Sequence, residues 1–117
     1  MKLSEAIRLG SMMGPQCFGY MRLGEATCAL GAAYKALDDS VREVSMTDIY
    51  PWLAKKIICP VDYCSGITEV IFIIAQHLND DHRWTRERIA DWVATVEPKE
   101  EIKVVEEKVE ELELVSQ

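Results

Sequence analysis

The sequence predicts an all-α fold, a compact bundle of about five helices with an acidic C-terminal helix appended. Three observations carry that prediction. Apolar residues recur at three- and four-residue spacing along most of the chain. Gly, Pro or Asp clusters punctuate the runs at Gly14-Pro15, Asp38-Asp39-Ser40, Cys59-Pro60 and Pro98. Hydrophobic residues make up 49% and charged residues 28%, enough of each for a packed core and a solvated surface.

The elements follow in order. Ser4 is the expected N-cap of a first helix, since a serine hydroxyl accepts a free first-turn N–H. Leu3, Ala6, Ile7, Gly10 and Met13 form its stripe, and Gly14-Pro15 stops it. Residues 14–25 read as a loop or short hairpin. A second helix carries Ala26, Ala29, Leu30, Ala33 and Leu37 on one face, with Gly31 and Ala32 small enough for a close helix–helix approach. Thr47-Asp48 or Tyr50 caps a third, with Pro51 in its first turn, Trp52, Leu53 and Ile57 facing the core, and Lys55-Lys56 near its C-terminal dipole. Residues 67–78 are apolar nearly all round; length favours helix and β-branching favours strand, and we expect a central buried helix. Thr85 caps the next helix, with Trp84 positioned to pack on Ile89, and Ile89, Val93 and Val96 follow at i, i+4 and i+7. Asn79 is expected in the left-handed position after the buried helix, and Asp80 or Asp81 to hold the turn through backbone amides.

Residues 1–97 therefore read as one helical domain and 98–117 as an acidic heptad-like helix. Residues 1–96 carry a net charge of −2 and residues 97–117 a net −5. A nearly neutral body with an acidic tail argues against nucleic-acid binding, which needs a basic surface. No apolar run approaches the roughly 20 residues needed to span a bilayer, and the N-terminus lacks the apolar stretch of a signal peptide. A cytoplasmic location is expected, so Cys17, Cys28, Cys59 and Cys64 are expected as thiols. In the tail, Ile102, Val105, Val109 and Leu112 alternate as a and d positions. That seam can dock on the body, or serve as the contact with a protein partner or a second copy.

Two constellations bear on chemistry. Cys59-x4-Cys64-x12-His77-x4-His82 has zinc-ligand types at the spacing of a two-Cys, two-His finger. Against a finger stand Thr68 where an aromatic is usual, an intervening segment too apolar for an exposed helix, and no basic reading surface. A helical zinc site of another kind would place His77 at a helix end and His82 in the following loop. The alternative is two ordinary thiols near a Pro turn and two ordinary histidines. The second constellation is Cys28 near a helix start, where the dipole lowers a thiol pKa, with His77 or His82 as base and Asn79 or Asp80 as orienter. Small buried cysteines in Ala-rich helices more commonly just pack. No phosphate loop, nucleotide fingerprint or His-Glu-x-x-His is present.

Thr27-Cys28-Ala29-Leu30-Gly31-Ala32, Leu78-Asn79-Asp80 and Trp84-Thr85-Arg86-Glu87-Arg88-Ile89 together resemble a family of small uncharacterised bacterial and phage proteins. In those, a Cys-x-Leu-Gly-Ala helix pairs with a later Asn-Asp turn, often preceded by Trp where this chain has Leu78. The resemblance implies a prokaryotic or phage accessory protein and brings no activity; Cys59, Cys64 and the tail lie outside it. The sequence as a whole leads to a non-enzymatic protein acting through protein–protein contact, with no catalytic residues and no cofactor. The alternatives are a small zinc protein using Cys59, Cys64, His77 and His82, and a thiol enzyme using Cys28.

Overall fold

The computed structural model describes residues 1–37, 44–62 and 64–99. Its helices are α1 (Leu3–Ser11), α2 (Ala29–Ala36), α3 (Met46–Ile49), α4 (Ile71–Asp80) and α5 (Arg86–Val96), with a 3-10 turn at Pro51–Ala54. Two antiparallel hairpins interrupt them: β1 (Arg22–Leu23) with β2 (Ala26–Thr27), and β3 (Lys56–Ile58) with β4 (Thr68–Val70). The fold is thus mixed α/β, which corrects the all-α expectation. The tail residues Ile102, Val105, Val109 and Leu112 lie outside the described residues, as does Asp38-Asp39-Ser40. Among the described residues, no helix is long and apolar enough to cross a membrane.

The strands arise where helical reading had the weakest support. Pro51 starts a helix well, but only one turn forms. Lys55 leaves it in an extended conformation (φ −72°, ψ 136°), and the expected third helix gives way to β3. Lys56, Ile57 and Ile58 pair with Val70, Glu69 and Thr68, and the β-branched Ile57, Ile58, Thr68 and Val70 suit a pleated ladder. The buried segment at 67–78 is correspondingly split. Its first residues join β4, the helix begins only at Ile71, and Ile67 and Ile73 are exposed rather than core. Similarly, Ala26 belongs to a strand, so α2 starts at Ala29 with Cys28 as its cap.

α1, α2, α4 and α5 enclose the core, where Leu3, Ile7, Leu30, Ile74, Leu78 and Ile89 are fully buried. α1 lies against α2 at very short range: a Cβ on Gly10 would sit 1.8 Å from the Ala32 carbonyl oxygen. Gly31 makes its close approach to a loop rather than a helix, since its Cβ would fall 2.0 Å from the Met21 carbonyl. Both neighbours are backbone and cannot swing away. We therefore expect Gly10→Ala to cost at least the about 1–3 kcal/mol typical of overpacking, read as a lower urea midpoint with unchanged slope.

The start of α1 is capped differently from expectation. Lys2 is the N-cap, while Ser4 lies inside the helix. Glu97, buried at the end of α5, accepts the Ser4 N–H at 3.1 Å and also its hydroxyl. A carboxylate there satisfies an orphan donor and faces the positive end of the helix dipole. One acid counted with the tail thus belongs to the body.

The α4–α5 corner is fixed by three polar residues. Asn79 is fully buried and helical, not left-handed; Arg83 takes the positive φ (54°) instead. The Asn79 amide oxygen accepts Gln16 Nε2 (2.8 Å) and Ala29 N–H (3.2 Å), and its nitrogen donates to the Cys17 carbonyl (3.0 Å). Asp80 accepts the Gly19 N–H at 2.9 Å. Arg86, also buried, donates to the carbonyls of Ser11, Gly14 and Pro15 and to the Thr27 hydroxyl. Thr85 caps α5 as predicted, accepting Arg88 N–H at 3.1 Å.

Candidate metal centre

The β3–β4 connection positions both cysteines of the finger-like motif. Cys59 follows β3 directly, and its N–H donates to the Ile67 carbonyl at 2.7 Å. The Cys64 N–H donates to the Val61 carbonyl at 3.0 Å, and the Ile67 N–H to the Cys64 carbonyl at 3.3 Å. Gly66 (φ 69°) supplies the left-handed step that returns the chain to β4. These bonds curl residues 59–62 and 64–67 into a knuckle with both sulfurs towards the end of α4.

The histidines come from that end. His77 lies in the last turn of α4, and His82 in the connection to α5, with its N–H 3.3 Å from the His77 carbonyl. Cys64 Sγ lies 3.1 Å from His77 Nε2, Cys59 Sγ 3.8 Å from His82 Nε2, and the two Nε2 atoms 3.0 Å apart. One ligand atom from each of the four residues falls within 4.8 Å of the other three. Metal–sulfur and metal–nitrogen bonds of about 2.3 and 2.05 Å give tetrahedral edges of roughly 3.3–3.8 Å. The four residues could therefore hold one metal ion at a shared centre.

The proton placement at His77 suits a metal ligand as well. His77 Nδ1 is 2.7 Å from the Asp81 carboxylate. A carboxylate accepts, so Nδ1 carries the proton in the neutral ring and Nε2 presents a lone pair. That lone pair faces a sulfur and a second imidazole nitrogen. Burial pushes the Cys64 thiol up, reinforced by Cys59 and then Asp81. A divalent cation at the shared centre would displace the thiol protons and take both sulfurs as thiolates.

The structure thus brings Cys59, Cys64, His77 and His82 together. The Cys28 arrangement is not assembled in this way. Cys28 caps α2, its sulfur accepting Gly31 N–H at 3.3 Å and lying 3.6 Å from Met21 Sδ. It is buried, and burial pushes its thiol up rather than down. His77 and His82 are turned to the other two cysteines, and Asn79 is occupied in the corner. Among the neighbours of the metal cluster, Asp81 is the residue that sequence reasoning placed elsewhere, as a turn acid. Its i,i+4 spacing from His77 was the available signal.

Comparison with known protein families, curated proteins and solved structures finds no match for this chain. A functional reading therefore rests on the geometry.

Proposed function

We propose that this chain is a small non-enzymatic metalloprotein, in which Cys59, Cys64, His77 and His82 bind one zinc ion that latches the β3–β4 knuckle to the end of α4. The convergence of four ligand atoms from a hairpin and a helix end, within 4.8 Å, carries the reading. Two thiolates and two imidazoles suit zinc above the harder divalent cations. The order of hairpin, then helix, with cysteines in the hairpin and histidines at the helix end, parallels the ββα unit of a zinc finger. Four protein ligands complete a tetrahedral shell, leaving no position for water or substrate, so the role is structural rather than catalytic.

The finger-like unit differs from a DNA reader in what its helix does. Ile71, Ile74, Ala75 and Leu78 of α4 are buried in the domain core, so the helix is committed to its own body. Accessory work through contact with another protein is the role we assign to the latched domain. Ile58, Ile67 and Ile73, exposed on and beside the metal hairpin, offer it apolar surface.

Elemental analysis of the purified full-length chain tests the reading. We expect one zinc per chain, with Cys59 and Cys64 shielded from a thiol reagent in the folded protein until a chelator removes the metal. Substoichiometric metal after zinc supplementation, with all four thiols equally titratable, would end it.

A further inference from the structure

Asp81 is poorly explained by the fold. It is the C-cap of α4, where the peptide dipole is negative and a carboxylate is unfavourable. Its side chain is 69% exposed, so an ion pair or hydrogen bond there adds little to folding by itself. The adjacent Asp80 shows the contrast, since its carboxylate accepts Gly19 N–H and the Asn79 amide within the corner. Asp81 instead turns outward and reaches His77 Nδ1 at 2.7 Å.

We infer that Asp81 is a positioning residue for the metal, locking His77 in the tautomer and ring orientation that present Nε2 to the ion; this rests on the zinc reading above. The i,i+4 spacing puts the carboxylate on the same helix face as the ring. Accepting the Nδ1 proton fixes it there, prevents Nδ1 from competing as the ligand, and makes Nε2 a better donor. The His77 and His82 rings stand nearly perpendicular, at 79° with centroids 4.5 Å apart, so a rotation of His77 would carry its Nε2 away from the common centre. Asp81 thereby accounts for one histidine's aim without touching the metal itself.

Outer-shell partners of this kind typically raise metal affinity about 10–100-fold, and the exposure of Asp81 places it near the lower limit. The test is competition for zinc between a chromophoric chelator and the full-length chain as wild type, Asp81→Ala, Asp81→Asn and Asp81→Glu. Zinc affinity is expected to fall about tenfold in Asp81→Ala, less in Asp81→Asn, which retains an acceptor, and to recover in part in Asp81→Glu. The metal-free Asp81→Ala protein is expected to melt at or slightly above the metal-free wild type, because an unfavourable charge leaves the helix end. Wild-type affinity in Asp81→Ala would overturn the inference while leaving the zinc site standing. So would a loss of affinity matched by a lower melting temperature of the metal-free variant, which marks a merely structural role. A wild type that takes up no zinc would remove the metal reading and this inference with it.

Discussion

Removing the metal is expected to lower the melting temperature on the order of 15 °C. Zinc held at about a thousand times its dissociation constant contributes roughly 4 kcal/mol, and a domain of this size loses roughly 4 °C per kcal/mol. Helix content should change little. α1, α2 and α5 bury Leu3, Ile7, Leu30 and Ile89 independently of the knuckle, so the core has its own support. Loosening should concentrate in residues 56–70 and 77–82, whose ends the ion joins, and appear there as faster amide exchange. Cys64→Ser should melt like the metal-free wild type, and chelator should then have no further effect, because both changes remove the same linkage. A chelator effect of full size on Cys64→Ser would mean that the metal sits elsewhere.

The second large effect is expected from Arg86→Met. The guanidinium is buried and spans the carbonyls of Ser11, Gly14 and Pro15 and the hydroxyl of Thr27. Methionine preserves much of the volume but takes the donor from the Ser11 and Gly14 carbonyls and the Thr27 hydroxyl in a poorly solvated place, while the Pro15 carbonyl keeps the Thr27 N–H. Each such orphan costs about 1–3 kcal/mol, with partial relaxation reducing the sum; the expected loss is about 3–5 kcal/mol. Urea denaturation measures it. Zinc stoichiometry should survive wherever the variant is folded, because none of these bonds touches the knuckle. A loss under about 1 kcal/mol, the scale of an ordinary surface change, would contradict the bridging role.

How much of this was legible before the structure depends on the range of the interaction. The Thr85 cap, the helical stripes of α1 and α5 and the Cys-Cys-His-His spacing are local, and each shows in the sequence. The first hairpin showed only as one of two alternatives for residues 14–25 and the second escaped, because their strands are only two or three residues long, too short for a period-two pattern to outweigh helical neighbours. The features that argued against a zinc finger have a physical resolution. The segment before His77 is apolar because α4 packs into a larger core, so the unit needs no small core of its own and Thr68 can stand where a free finger needs an aromatic. Asn79 and Arg86 were the least accessible. Turn chemistry explained Asn79 adequately in isolation, nothing local marked Arg86, and their actual partners lie some sixty to seventy-five residues earlier in the chain.

X-ray absorption at the zinc edge on the full-length protein tests the central claim most directly. Two sulfur neighbours at about 2.3 Å and two imidazole nitrogens at about 2.0–2.1 Å are expected, with one sulfur lost in Cys64→Ser and one nitrogen lost in His82→Ala. A shell of nitrogen and oxygen alone, or one unchanged in both variants, would contradict a metal bound by Cys59, Cys64, His77 and His82.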